Sequence, residues 1–135
     1  MQLNTLDGFQ YKWKKGKGEG KGKQSSLHKL ARKILHEEFP LVPYMEEVPI
    51  MVTRGKWLYF DFYIPLFKTA IEVHGEQHYS YSSFFHKNID SFIQYRKNDV
   101  LKVEFCAKNS IDILELKYDE SDNWRSTIRS QFKST

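Results

Sequence analysis

The sequence has a single cysteine, Cys106, and no apolar run long enough to cross a membrane. One cysteine excludes an internal disulfide, which fits a reducing cytoplasm. A transmembrane helix needs about 18 or more consecutive apolar residues. The first residues also lack the apolar core of a secretory signal. These absences predict a cytoplasmic protein without a membrane segment.

Several catalytic motifs are also missing. The chain has no P-loop, no glycine-rich dinucleotide fingerprint and no serine-hydrolase elbow. Its 135 residues are 40% hydrophobic and 16% aromatic, enough for one domain with a single core. The formal net charge is +4, a modest indication of polyanion binding.

A lysine- and glycine-rich stretch, KWKKGKGEGKGK, occupies residues 12–23 and holds six lysines, four glycines and one glutamate. Such a composition predicts a flexible basic arm over residues 1–24, lying along nucleic-acid phosphates. A solvated linker is the alternative. The candidate nucleic-acid contacts are Lys14, Lys15, Lys17, Lys21, Lys23 and, later in the chain, Lys102.

Residues 25–135 are predicted to form one α/β domain. The patterns predict a helix from Ser25 or Ser26 to Phe39, strands at 48–52, 58–64 and 69–74, a helix at 89–108, a strand at 111–116 and a last helix around 124–132. Pro49 confines the first strand to a sheet edge. The long helix carries an apolar stripe of Ile89, Phe92, Ile93, Val100 and Val103, with Asp99 beside it. This order predicts a central mixed sheet flanked by helices.

Two acids are predicted to face each other within this sheet. If residues 65–68 form a four-residue loop, Ile64 pairs with Thr69 and Asp61 lies opposite Glu72. Two carboxylates ~5 Å apart repel by ~3 kcal/mol at an effective dielectric of 20. A divalent cation between them is the economical explanation. Strict alternation would put Leu58, Phe60, Phe62 and Ile64 on one face of the first strand, and Ala70, Glu72 and His74 on one face of the second.

The candidate chemistry is hydrolytic. Two carboxylates suit Mg²⁺, which also takes water and phosphate oxygens as ligands. His74 or His78 can transfer a proton, and Asp99 can fix the imidazole tautomer. One alternative is that the acids lie on a solvent-facing side of the sheet. Another is a structural zinc site built on the two histidines, with Cys106 as a weak third ligand.

The spacing of Asp61, ten intervening residues and then Glu72-Val73-His74 resembles the PD-(D/E)-x-K nuclease superfamily, with histidine in place of the usual lysine. The segments IEVHGEQHY and RKNDVLK are similar to those of the very short patch repair endonuclease and related homing endonucleases, including small phage proteins. The resemblance implies a restriction-endonuclease-like αβββαβ sandwich. It further implies metal ligation by Asp61, Glu72 and the Val73 carbonyl.

The same resemblance assigns the catalytic roles. His74 or His78 would act as general base, Glu72 would serve catalysis as well as ligation, and Asp99 would support the imidazole. The repair enzyme carries a glutamate on its first helix where His28 or Leu27 stands here, and Glu47 is a candidate replacement.

The predicted function is therefore a Mg²⁺-dependent DNA endonuclease, with Mn²⁺ as a substitute ion. The pattern favours a nicking or structure-selective enzyme of phage type, acting in the cytoplasm of a bacterial or phage-infected cell. The alternatives are an inactive nuclease fold that binds nucleic acid, or a Holliday-junction-type resolvase, which would need a homodimer.

Overall fold

The computed structural model describes residues 1–13, 25–76 and 89–132. The helices and strands follow in this order: β1 (Gln2–Asn4), β2 (Gln10–Lys12), α1 (Ser26–Glu38), β3 (Met45–Thr53), β4 (Lys56–Ile64), a 3₁₀ turn (Pro65–Phe67), β5 (Thr69–His74), α2 (Ile89–Lys108), β6 (Asp112–Lys117), a second 3₁₀ segment (Tyr118–Asn123) and α3 (Trp124–Phe132).

Four of these strands form a mixed sheet in the order β3-β4-β5-β6. β3, β4 and β5 pair antiparallel, whereas β5 and β6 pair parallel. A parallel pair needs a long crossover between its strands, and α2 lies in that connection. The predicted α/β class, with a mixed sheet flanked by helices, is confirmed.

Each face of the sheet has its own apolar core. One core joins the sheet to α2 and the first residues of the chain, and includes Val48, Phe60, Tyr63 and Phe105. The other joins it to α1 and α3 and is built from Ala31, Ile34, Leu35, Phe62, Ile64, Ile71, Leu116, Trp124, Ile128 and Phe132. Among the described residues, no helix combines the length and apolar character that a bilayer-spanning segment needs.

The face alternation of β4 breaks at Asp61. Phe60 is buried on the α2 side, but Phe62 and Ile64 are buried on the α1 side. The prediction that these side chains share one face was therefore wrong. The flanking pairs of β3 and β4 keep one register, and opposite Asp61 lies Glu47 with a φ of 51°. Non-glycine residues rarely adopt this left-handed conformation, so β3 is irregular at Glu47 just as β4 is at Asp61. The irregularity therefore involves both strands and changes the direction of their side chains.

The first residues belong to the folded domain. β1 and β2 form a hairpin in which Leu3 is buried, and Trp13 is buried directly after it. Asn109 holds the hairpin by accepting from the Asn4 N–H and donating to the Asn4 carbonyl, at 2.7 and 2.9 Å. Residues 1–13 therefore do not form the predicted flexible arm. The remainder of that arm, 14–24, lies outside the described residues.

The same hairpin covers the edge of the sheet. β3 is an edge strand, as Pro49 predicted. The Trp13 indole donates to the Pro49 carbonyl at 2.9 Å, and the Met51 N–H donates to the Tyr11 hydroxyl at 2.9 Å. These side chains satisfy groups that an open edge would leave for another strand to pair with.

Candidate active site

The candidate site lies where β4 and β5 separate. Their ladder pairs Ile64 with Thr69, as predicted, and ends at the pair Phe62 and Ile71. The loop between them is the Pro65–Phe67 turn followed by Lys68 in the left-handed conformation. In this register Asp61 lies opposite Glu72, one position beyond the last pair.

Beyond the last ladder pair, the side chains of Asp61 and Glu72 hydrogen-bond the two strands to each other. Glu72 Oε2 accepts the N–H of Asp61 at 2.8 Å. Asp61 Oδ2 accepts the N–H of Val73, also at 2.8 Å. Each carboxylate is thus bonded to the backbone of the opposite strand, which fixes its position at the point of divergence.

Glu72 is buried against a lysine from α2. Lys102 Nζ lies 2.5 Å from Glu72 Oε1, and the Lys102 side chain is itself mostly buried. Burial raises the pKa of Glu72 to about 7, against the opposing effect of the Lys102 charge. Burial alone would lower the pKa of Lys102, but the Glu72 and Asp61 carboxylates outweigh it and raise that pKa. Lys102 was predicted as a nucleic-acid contact, with a solvated helix charge as the alternative; the structure places it beside Glu72, mostly buried.

The role of Lys102 was not predicted because the apolar pattern indicated a different buried face of α2. The predicted stripe is turned toward solvent at Val100 and Val103, whereas Phe105 and Cys106 are buried against the sheet. Lys102 lies one turn before Cys106 and therefore points to the sheet. The spacing of Leu101, Phe105 and Cys106 was the available signal.

Asp61 also meets the first helix. Its side chain is 34% exposed, and Oδ1 lies 3.8 Å from His28 Nδ1. The His28 ring stacks on Phe62 at 4.5 Å, and its Nε2 lies 3.1 Å from Glu46 Oε1. Arg32 Nε donates to the same Glu46 oxygen at 2.8 Å. A chain of charged and polar groups thus runs from α1 to Asp61.

These contacts shift the pKa values of His28 and Asp61 in opposite directions. Burial disfavours the charged imidazole, but the Asp61 and Glu46 carboxylates outweigh it and raise the pKa of His28. Burial also opposes ionisation of Asp61, yet His28, the Val73 N–H and Lys102 together lower the pKa of that carboxyl. His28 and Glu47 were the two further candidate residues, and His28 lies in the site. Glu47 lies opposite Asp61. The β3 residue that contacts His28 is Glu46, which was not predicted.

His74, two residues after Glu72 on β5, lines a groove of about 440 Å³ together with Asp99, Arg96, Val100, Val103, Glu104 and Glu115. His74 is buried, and its Nδ1 lies 4.0 Å from Glu115 Oε2. The structure therefore brings the predicted histidine and its predicted supporting acid to one groove. His78 lies outside the described residues, as do Lys14, Lys15, Lys17, Lys21 and Lys23.

The closeness of the two acids does not by itself require a metal. Lys102 and two backbone N–H groups compensate the charges that were predicted to repel. Among the described residues, no three His, Cys, Asp or Glu side chains are arranged to hold a metal ion. Mg²⁺ is commonly bound through one or two carboxylates with water completing its shell. The part-exposed Asp61 and the Val73 carbonyl suit such an open site, whereas the buried Glu72 would have to exchange one of its two partners for the ion.

Cys106 does not suit the alternative zinc site. Its side chain is buried in the apolar core with Phe105. Burial raises the pKa of the thiol to about 12. Since zinc binds the thiolate, this environment disfavours Cys106 as a ligand.

The comparisons with known proteins give viral relatives. The chain is 36% identical to uncharacterized protein 307L of Invertebrate iridescent virus 6 over 75 residues, which are 53% of this chain and 38% of the relative. It is 29% identical to uncharacterized protein 033L of Invertebrate iridescent virus 3 over 90 residues, 64% of this chain and 46% of the relative. It is 38% identical to uncharacterized protein 094L of Frog virus 3 over 69 residues, 50% of this chain and 44% of the relative.

The chain spans less than half the length of each of these relatives. No family model matches it, and no solved structure shows significant similarity to it.

Proposed function

We propose that the protein is a metal-dependent endonuclease that hydrolyses phosphodiester bonds in DNA. The observation that carries this proposal is the cluster of Asp61, Glu72 and Lys102, drawn from three different elements to the point where two strands separate. Burying an acid–lysine pair has a large desolvation cost. Perturbed ionisable groups of this kind concentrate at functional sites.

The order of the elements supports the same proposal. From α1 to β6 the chain runs α-β-β-β-α-β, the order that the resemblance to PD-(D/E)-x-K nucleases implies. In that resemblance a lysine follows the second acid by two residues, where this chain has His74. Lys102 instead brings an ammonium group to Glu72 from α2. We infer that the Lys102 charge replaces the charge of the family's lysine, whose position is occupied here by His74.

The roles of the side chains follow from their surroundings. Mg²⁺, for which Mn²⁺ would substitute, would be held by Asp61, Glu72 and the Val73 carbonyl, and when bound it would neutralise phosphate charge and acidify water. Lys102 orients the Glu72 carboxylate and adds positive charge where phosphate charge develops. His74, in the groove with Asp99 and Glu115, is our candidate to accept the proton of the attacking water. His78 keeps the same candidate role from the sequence.

The viral relatives support a role in a virus-infected host cell. They come from viruses named for invertebrates and frogs, which favours such a host over a phage-infected bacterium. DNA is the proposed partner because the chain is basic, with a lysine-rich stretch between Trp13 and Ser25. We leave the oligomeric state open between a monomer and a homodimer; a junction resolvase would require the dimer.

One observation favours a second candidate function, an inactive nuclease fold that binds nucleic acid. Glu72 already has a partner at each oxygen, the Asp61 N–H at one and Lys102 at the other. If these partners stay in place, Glu72 has little capacity left for a metal ion. The protein would then hold nucleic acid without cleaving it.

A plasmid assay separates the two candidates. Supercoiled plasmid is incubated with the protein in Mg²⁺, in Mn²⁺ and in EDTA, and nicked and linear products are followed on gels. The endonuclease proposal expects cation-dependent nicking that is lost in Asp61→Asn and in Glu72→Gln and retained in the exposed control Asp122→Asn. Binding without cleavage in either cation would favour the inactive fold. Cleavage that persists in both site variants would refute the assignment of the site.

A further inference from the structure

Two aromatic side chains stand exposed on β4 beside the site. Trp57 is 52% exposed and Tyr59 is 47% exposed, whereas Phe60 next to them is buried. Across the ladder, Trp57 pairs with Met51 and Tyr59 pairs with Pro49. These four side chains form one apolar surface, which we call the β3–β4 aromatic surface. Contiguous exposed apolar surface commonly marks a binding site.

This surface lies on the α1 side of the sheet and leads to Asp61. The β4 residues buried in the core with α1 and α3 are Phe62 and Ile64, so that core begins just beyond Asp61. With a rise of ~3.3 Å per residue, Tyr59 is ~7 Å and Trp57 ~13 Å from Asp61 along the strand. Asp61 therefore marks the border between the covered and the uncovered parts of this face.

The charges around the surface indicate what binds there. Arg54 and Lys56 lie at the β3–β4 turn, next to Trp57, and Arg54 is paired with Asp7 across 3.4 Å. The chain as a whole carries a formal net charge of +4. Exposed aromatic rings beside Lys56, on a chain with net positive charge, complement a ligand with flat rings and negative charge. Single-stranded nucleic acid has both features.

We infer that Trp57 and Tyr59 form a stacking subsite for unpaired bases of a nucleic-acid strand whose backbone continues toward Asp61. The inference rests on the proposed function for the identity of the bond that is cleaved. Aromatic side chains bind bases of any sequence because every base has a π face. Bases within a duplex are already stacked on their neighbours, so the subsite selects single-stranded regions, ends or flaps.

Tryptophan fluorescence offers a direct test, because of the three tryptophans Trp13 and Trp124 are buried and only Trp57 is exposed. A thymidine oligonucleotide of about 12 nucleotides, within the range that single-strand binding sites cover, is titrated into the full chain in EDTA, so that binding is measured without cleavage. We expect quenching of the Trp57 emission by the single strand and none by a blunt duplex of equal length. Trp57→Leu should abolish the quenching.

Affinity is measured separately by the anisotropy of a labelled oligonucleotide. Tyr59→Ala and Trp57→Leu should each weaken binding about tenfold, the usual effect of losing one base–aromatic stack. Tyr95→Ala is the matched control, since Tyr95 is 40% exposed on α2, which packs on the other side of the sheet. The melting temperature of each variant is measured alongside, because these side chains are about half exposed and the Trp57 ring also contacts Tyr11 edge-on at 6.3 Å.

The possible outcomes are distinct. Binding without a change in Trp57 emission, or wild-type affinity in both sheet variants, would overturn the inference. Sedimentation showing a dimer that Trp57→Leu dissociates would also overturn it, because the surface would then bind a second copy of the chain. Stacking at Trp57 in a protein that cleaves no DNA would uphold this inference while refuting the proposed function.

Discussion

Asp61 and Glu72 each accept a backbone N–H from the opposite strand, with both bonds 2.8 Å long. The two carboxylates therefore hold β4 and β5 together at the point where the regular ladder has ended. They are also the acids proposed to bind the metal. A substitution at either position acts on stability and on chemistry at once, and the choice of replacement decides which effect is seen.

Asp61→Asn and Asp61→Ala should separate these effects. Asparagine keeps an oxygen that can accept the Val73 N–H, so its free energy of unfolding should stay close to wild type. Alanine leaves that N–H without its acceptor, which costs about 1–3 kcal/mol. Both variants should lose plasmid nicking, because each removes the negative charge. Urea denaturation and the plasmid assay measure the two quantities; nicking by Asp61→Asn at the wild-type rate would contradict the metal-binding role.

Lys102→Met tests the buried ion pair. Removing one partner of such a pair leaves an uncompensated charge and typically costs about 3–5 kcal/mol. Adding Glu72→Gln should recover part of this loss, because the remaining side chain is then neutral. The exposed Lys97→Met on the same helix is the control and should change the free energy of unfolding little. If Lys97→Met and Lys102→Met were equally stable, Lys102 could not be paired with Glu72 in the folded protein.

Sequence patterns predicted the elements from α1 to α3 and the β4–β5 register, because turn chemistry and alternation are local properties, but they did not predict the β1–β2 hairpin. They failed where tertiary contacts decide the outcome. The break at Asp61 needs Glu47 in a left-handed conformation, and glutamate carries no signal for that. Val100 and Val103 resemble a core stripe, yet both are exposed, and α2 is buried at Phe105 and Cys106 instead. His28 entered the predicted site only through the resemblance, and the pairing of Lys102 with Glu72 could not be predicted, because both residues come from distant parts of the chain.

Glu38 joins α1 to α3 and makes stability depend on pH. It accepts hydrogen bonds from Arg129 Nε at 2.5 Å and Arg125 Nη1 at 2.6 Å, and these two arginines hold the pKa of its carboxyl below the ordinary value. A group with a lowered folded-state pKa stabilises above its unfolded pKa, about 4.3 for glutamate, and loses that contribution as pH falls through the folded value. Wild type should therefore exceed Glu38→Gln in stability at pH 7. The difference should shrink toward pH 3 in urea titrations, and a constant difference would exclude ionisation as its cause.

Trp13→Ala tests whether the first residues belong to the domain. Trp13 is 4% exposed, lies between Phe60 and Tyr63 with ring centroids at 6.3 and 4.7 Å, and donates to the Pro49 carbonyl. Truncating a buried tryptophan costs about 3–5 kcal/mol, a large share of the total stability of a domain this size. Trp57→Ala is the comparison, because Trp57 is half exposed and its ring meets only Tyr11 edge-on at 6.3 Å, a contact worth about 0.5–1.5 kcal/mol, so this truncation should cost less. Thermal and urea unfolding of both variants give the comparison. Equal stabilities would mean that residues 1–13 do not pack on the sheet, and the predicted arm would then extend over them as well.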